Sequence, residues 1–321
     1  MIDGIASAGT TPAKPSVPMR IAITGASGLV GRATSKALEA AGHEVVRLLR
    51  TAAGAPGTAR WDPATGAVDL EALGAIDAVV HLAGENVAGG RWSTARKRRI
   101  ADSRGPATLA LCRALANGAH RPATFVAASA VGIYGSPGDT WIDERSPLGD
   151  DFLARVAKDW EAGAQPLADV GARVVHLRIG VVLDQEGGAL QRMLLPFRLG
   201  LGGPLGRGDQ WLGWITRHDL VRVILTTLTD ARYRGPVVTS SPMPVTSKEF
   251  ARALGKALHR PAVLRTPAFA LRLLFGEMAD ALLLRSFRPR PGVLLENGFV
   301  FDHPRLDLAL AAALGLASTA R

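Results

Sequence analysis

The stretch Ile21-Ala22-Ile23-Thr24-Gly25-Ala26-Ser27-Gly28-Leu29-Val30-Gly31 decides how this chain is read. Four apolar or β-branched residues run into three glycines spaced three apart. Leu29, Val30, Ala33, Ala37, Leu38 and Ala41 follow at helical spacings. Gly42 stands where a helix stops, and Val45 to Leu49 reads as the next strand. Strand, glycine turn, helix and strand in about 30 residues is a βαβ unit. Each glycine has a physical task in such a turn. Gly25 lets the chain leave the strand sharply, Gly28 admits a pyrophosphate close to the backbone, and Gly31 lets the helix pack on the sheet. The anion then meets free N–H groups and the positive end of the helix dipole. The bland alternative is a tight strand–helix turn with no ligand.

The rest of the chain agrees with an α/β fold. Its 321 residues can bury a full core, and 47% apolar with 21% charged residues is a globular composition. No apolar run reaches the roughly 18 residues that a membrane span needs. A single cysteine, Cys112, excludes an internal disulfide framework and a cysteine-rich metal site, and suits a reduced, cytoplasmic setting. The seven histidines show no metal-ligand spacing, so no metal is expected. The net charge of +10 raises nucleic acid as a partner. The arginines are scattered, however, and the dense run Arg96-Lys97-Arg98-Arg99 has little aromatic interleaving, so none is expected. The partner expected instead is a small-molecule substrate, with the chain a monomer or homodimer.

Residues 1–18 hold Gly, Ala, Thr, Pro and Ser without periodicity and read as a disordered tail, not a secretory signal. The second strand ends at Leu48-Leu49-Arg50, where an acidic side chain would bind a ribose 2′-hydroxyl. None is present. Arg50 suits a 2′-phosphate and favours NADP over NAD. Ala59 to Asp62 is a short third strand, Val68 to Leu73 a short helix, and Asp77 to Gly84 a fourth strand entering a small-residue turn. His81, alone in that apolar strand, reads as a packed core histidine. Arg91 to Asn117 is a long helix with a breakpoint near Gly105-Pro106. Thr124 to Ser129 and Ala172 to Val182 are strands five and six. Strands separated by helices imply a doubly wound parallel sheet, with ligands at the strands' carboxyl ends.

Beyond residue 183 the texture changes. Gly187-Gly188 and Leu199 to Pro204 read as loops, and His218 to Thr229 as a helix that returns to the first lobe. Gly235 to Val238 adds an edge strand. Lys248 to Leu258, Ala268 to Leu284 and Ala309 to Ala320 are helical. The expected organisation is a Rossmann domain over 19–182 and a smaller mixed α/β substrate lobe over 183–321.

These features resemble the short-chain dehydrogenase/reductase superfamily of extended type. The matches are the Gly25–Gly31 turn, Leu82-Ala83-Gly84, Ser129, Tyr134-Gly135, Arg178-Ile179-Gly180 and Trp214 to Leu220. Asn86 to Trp92, Leu194 to Pro204 and Ala253 to Pro261 look like an atypical subgroup, the NAD-dependent epimerase/dehydratase-like proteins, whose reaction is undefined. The similarity spans residues 19–315. It implies that Gly25, Ser27, Gly28, Leu29, Val30 and Gly31 hold the pyrophosphate. Leu49 and Arg50 would surround the adenosine phosphate, and Leu82, Ala83 and Gly84 the adenosine half. Arg104 would reach the cleft and Val182 would border the nicotinamide.

One departure bears on activity. Active members use Ser, Tyr and Lys, the tyrosine exchanging a proton with the substrate oxygen and the lysine lowering its pKa. Ser129 is in place and Lys158 is suitably downstream, but the residue four before Lys158 is Ala154. The Tyr-x-x-x-Lys unit is broken. Tyr134 supplies a hydroxyl from another direction, or is a structural tyrosine. Lys158 is a ribose contact or a surface lysine. Asp143-Glu144 and Asp150-Asp151 read as solvated loop charges, with acid/base work as the alternative, and Asp219 as a helix cap. Two functions remain: an NADP-dependent reductase- or epimerase-like enzyme for a small carbonyl or nucleotide-sugar-like substrate, or a silent NADPH-binding sensor.

Overall fold

The computed structural model describes residues 17–51 and 54–316. Most of the expected tail at 1–18 therefore lies outside the described residues, as does the end of the expected helix over 309–320. Seven strands form one parallel sheet. They are β1 (Arg20–Thr24), β2 (Glu44–Leu49), β3 (Thr58–Arg60), β4 (Ala78–His81), β5 (Thr124–Ala130), β6 (Arg173–Ile179) and β7 (Gly235–Thr239). Their spatial order is β7-β6-β5-β4-β1-β2-β3. The order reverses between β1 and β4, which is where a doubly wound sheet opens a crevice at its carboxyl edge.

The strands are apolar on both faces because helices cover both. Ile21 and Ile23 of β1 join Leu38, Val80, Leu220 and Ile224 in one core. Ala22, between them, points to the other core with Val46, Val79, Leu111, Leu115 and Phe125. The longer helices are α1 (Leu29–Ala40), α2 (Thr94–Asp102), α3 (Gly105–Asn117), α4 (Phe152–Ala162), α5 (Gly188–Arg198), α6 (Arg217–Thr229), α7 (Ser247–Ala257), α8 (Ala268–Phe275) and α9 (Leu306–Ala313), and of these α1, α3 and α6 supply residues of the two cores. As the sequence suggests, α6 packs on α1 and β7 closes the sheet edge beside β6.

The structure corrects several element readings. The helix over 91–117 begins only at Thr94; it breaks where expected, with Arg104 in a non-helical conformation and Pro106 in the first turn of α3, where its missing N–H costs nothing. The long strand over 172–182 is also two pieces. At Gly180 the chain leaves the sheet, and Val181–Leu183 pairs instead with Trp214–Thr216. A side chain there would collide with the Gly213 carbonyl, since its Cβ would stand 2.8 Å away. Between the two loops read at Gly187-Gly188 and 199–204 lies α5, which the sequence reading missed. Its Leu190, Leu194 and Phe197 face the third core at helical spacing. Pro196 and the flanking glycines disguise it: a proline inside a helix removes one i→i−4 hydrogen bond, a loss that the burial of Leu190, Leu194 and Phe197 offsets. The helix over 268–284 stops at Gly276, whose φ of +61° suits glycine, and resumes as one wide π turn over Ala279–Leu283.

Candidate functional site

The turn after β1 is built for a close approach. Gly25 has φ +68°, and a Cβ on it would lie 2.9 Å from the backbone of Leu82 and Ala83. The Gly28 amide donates to the Gly25 carbonyl at 2.9 Å, which tightens the loop. A Cβ on Gly31 would strike the Gly25 carbonyl and come within 2.8 Å of Ala26 Cα. No side chain caps α1 and no acidic residue lies in its first turn. The amides of Leu29, Val30 and Gly31 thus open the helix without intrahelical acceptors. Ser27 and Gly28 are exposed. Leu29 also packs on the facing turn, as Gly187 would place a Cβ 3.2 Å from its side chain.

The neighbouring strand ends complete this half. Arg47 pairs with Glu39, while Arg50 is exposed and has no partner among the described residues. Leu49 is half-buried beside it. Arg32, which sequence reasoning overlooked, donates from Nη1 to the Ser27 carbonyl at 2.7 Å and adds a second cation at the turn. The Thr24 hydroxyl accepts the amides of Leu82 and Ala83 at 3.1 and 3.2 Å, so its own proton goes to His81 Nδ1 at 2.8 Å. His81 Nε2 then donates to Thr108 Oγ1 at 2.8 Å. Burial pushes the His81 pKa down to about 3, with Arg104 adding to the shift. His81 is the neutral core histidine the sequence suggests, and it pins the Leu82-Ala83 turn to β1. Arg104 stacks over the Trp160 ring at 4.8 Å and lies against exposed Gly84. Burial lowers its pKa to about 10 despite the opposing charge of Glu85.

The three candidate catalytic residues are not brought together by one substrate-facing geometry. Ser129 donates to Glu161 Oε1 at 2.7 Å. Glu161 forms a two-pronged pair with Arg178, both contacts at 2.9 Å. Arg178 Nη1 donates to the Tyr134 hydroxyl at 2.8 Å. Burial disfavours charge on Glu161, but Arg178 outweighs it and holds the carboxyl below its usual range. Burial likewise opposes the Arg178 charge, and Glu161 and Tyr134 more than restore it. Burial pushes the Tyr134 pKa up to about 12 against the pull of Arg178. Lys158 stands half-exposed on α4, and Ala154, where a tyrosine would be, is fully buried. Glu161 and Arg178 are the residues that sequence reasoning missed. Arg178 was visible only as part of a motif, and its partner lies 17 residues away on a helix.

Beside this network lies a cavity of about 340 Å³, walled by Val131, Leu153, Trp160, Leu190, Met193 and Phe250 among others. Ser129, Tyr134 and Lys158 are outside the set of lining residues. Val181 and Leu183 line it while Val182 does not, as strand alternation requires.

Glu144 and Asp151 have structural partners, which corrects their reading as solvated loop charges, while Asp150 is exposed as that reading expects. Glu144 accepts the amides of Val238 and Val293 at 2.9 and 3.1 Å. Asp151 caps α4 through the amides of Leu153 and Ala154, and pairs with Arg285. Asp219 is not the cap of α6: Thr216 is. The Asp219 carboxylate instead accepts the amides of Asp302 and His303. His218, Asp219 and His303 gather possible metal-ligand atoms within 4.8 Å, but Arg222 already sits on Asp219 at 3.2 Å. In the basic run, Arg96, Lys97 and Arg98 face Glu85, Glu277 and Asp102. Among the described residues no helix is long and apolar enough to cross a membrane.

With this geometry in view, similarity to known proteins places the chain. A model of the NAD dependent epimerase/dehydratase family matches residues 21–237. The chain belongs to that family. A second model, a domain of unknown function (DUF1731), matches residues 266–313. The epimerase family protein Mb2239 of Mycobacterium bovis is 43% identical over 293 residues, covering 91% of this chain and 97% of that protein. The human epimerase family protein SDR39U1, solved with NADPH, is 35% identical with a TM-score of 0.85, over 93% of this chain and 100% of that one. A nucleoside-diphosphate sugar epimerase from Corynebacterium glutamicum is also 35% identical, with a TM-score of 0.77 over 94% of this chain and 60% of that one. Membership of the epimerase/dehydratase family accounts for the doubly wound sheet and the glycine turn.

Proposed function

We propose that this protein binds NADPH across the Gly25–Gly31 turn and uses it as an oxidoreductase or epimerase on a small carbonyl compound in the adjoining cavity. The observation that carries the cofactor reading is the pair of differently occupied arginines in and just after β2. Arg47 is neutralised by Glu39, whereas Arg50, exposed and without a partner among the described residues, suits a 2′-phosphate. The human relative's NADPH supports the same choice. When bound, the cofactor supplies or accepts a hydride. The chain's part is to cradle the pyrophosphate on the α1 amides, with Leu82, Ala83 and Gly84 along the adenosine half. Ser129 and Lys158 border the reacting end, and Arg104 with the apolar wall excludes water. The proton falls to water, because the Tyr134 hydroxyl is buried, engaged by Arg178 and raised in pKa. The buried thiol of Cys112 suits a cytoplasmic setting, with the protein a monomer or homodimer.

The second reading is an NADPH sensor without turnover, favoured by Ala154 and by the occupied hydroxyls of Ser129 and Tyr134. One set of measurements separates the two. Arg50→Ala should weaken NADPH about tenfold to a hundredfold, as loss of a charged hydrogen bond does, and leave NADH unchanged. Equal losses for both would remove Arg50 from the 2′-phosphate. Hydride transfer to any member of a carbonyl panel supports the enzyme; label exchange with nothing in a cell extract supports the sensor.

A further inference from the structure

The cavity wall is apolar except for a few groups, and two of those have no acceptor. Arg285 and Trp160 both line it. The Arg285 side chain is 9% exposed, with Nη2 paired to Asp151. Its Nη1 is buried and makes no hydrogen bond, and the same holds for Trp160 Nε1. Buried donors in native proteins are nearly always answered, so unanswered ones on a cavity wall mark where a ligand's acceptor belongs.

Ser247 and Gln210, also on the wall, already have partners, and Arg104 has one on Nη1. Ser247 Oγ accepts the Leu205 amide at 3.2 Å. Gln210 donates to the carbonyls of Leu205 and Leu283 and accepts from the Gly208 amide. Arg104 donates to the Ile100 carbonyl and lies on Trp160. A nucleotide sugar needs many partners for its diphosphate and hydroxyls, and this wall would desolvate them against Leu190, Met193, Leu212 and Phe250. The volume of about 340 Å³ lies at the small end of ligand pockets. Asp151 offsets the charge of Arg285, but Arg104 adds a second cation to the same wall, and its neighbour Glu85 is already paired with Arg96, so the wall still attracts an anion. A guanidinium edge matches a carboxylate better than any other common group.

We propose that the cavity receives an apolar molecule bearing one carboxylate, with the carboxylate on Arg285 Nη1 and the hydrocarbon body against Leu190, Met193 and Phe250. Calling this ligand the substrate rests on the function proposed above; the binding site itself does not. The substrate class is then hydrophobic carboxylic acids that carry the reacting carbonyl, and nucleotide sugars are excluded.

The test is calorimetric titration of the full chain with decanoate, decan-1-ol and UDP-glucose, with and without NADPH. Decanoate is expected to bind at least about tenfold more tightly than decan-1-ol, and UDP-glucose not to compete with it. Arg285→Gln should weaken decanoate about tenfold to a hundredfold and leave decan-1-ol within about twofold. Met193→Trp, which fills the cavity and keeps Arg285, should abolish both. If Arg285→Gln does not fold, the wild-type preference and Met193→Trp decide. Equal binding of acid and alcohol, indifference to Met193→Trp, or displacement of decanoate by UDP-glucose overturns the proposal. NADPH binding is read separately, so a protein that takes decanoate and refuses NADPH breaks the function reading and leaves this one standing.

Discussion

At the ends of β1 and β2 the polar groups are left open: Ser27 and Gly28 are exposed, no side chain caps the start of α1, and Arg50 has no partner among the described residues. At the end of β5 the polar groups close on each other, through Ser129, Glu161, Arg178 and Tyr134. The two regions belong to one sheet and face the same crevice, yet one offers donors and the other consumes them. An open set of donors is the mark of a site that expects an anion. A closed set is the mark of a structural network, which rigidifies when every member is satisfied. The contrast separates binding, which this chain is built for, from proton transfer, for which its second region has lost the usual residue.

The strongest way to break the comparison is to open the closed region. Glu161→Gln leaves the Arg178 guanidinium, 5% exposed in its side chain, without its counter-charge. Removing one partner of a buried pair costs about 3–5 kcal/mol, and chemical denaturation should show a loss of that size. A loss below about 1 kcal/mol would mean that water reaches Arg178 and that the network is not closed. The next test works on the open region. Gly31→Ala puts a methyl group into the Gly25 carbonyl, so the turn must shift. Overpacking of this kind costs about 1–3 kcal/mol. It should appear both as a melting temperature lower by a few degrees and as lost NADPH affinity, measured by fluorescence titration. Unaltered affinity would show that the cofactor does not use this turn.

The contrast also explains what could be read in advance. The open region depends on glycines and an arginine within about thirty residues of one another, and such local constraints leave a pattern in sequence. His81 was legible too, since a lone histidine in an apolar strand has few ways to be satisfied other than by buried hydroxyls. The closed region depends on contacts between a helix and two strand ends. Glu161 looks like any polar residue on α4 until the fold brings β6 against it. Arg285 is further out of reach, because its partner Asp151 is 134 residues away. The helix α5 was hidden for a different reason: Pro196 and the glycines around it are local signals for a loop, and burial of Leu190, Leu194 and Phe197 overrides them. Tertiary packing decides these cases, and it is not written in any single window of the chain.

The smallest expected effect tests the assignment of Tyr134 most sharply. Tyr134→Phe removes the hydroxyl that accepts from Arg178, while Arg178 keeps both contacts to Glu161 and a longer one, 3.3 Å, to the Glu144 carbonyl. The guanidinium is therefore not stranded, and the cost should be that of one hydrogen bond, about 0.5–1.5 kcal/mol. If the residue only completes the network, any carbonyl reduction that the protein performs should keep its kcat and its pH profile. A positioned proton donor contributes about 10²–10⁴ in rate. A fall of that size with NADPH affinity unchanged would therefore return Tyr134 to the chemistry. It would also require that the hydroxyl leave Arg178 during turnover, since a group held at 2.8 Å by a buried guanidinium and raised in pKa to about 12 gives up its proton only with help. The closed region would then be a resting state rather than a fixed scaffold, and the two ends of the sheet would differ in timing instead of in kind.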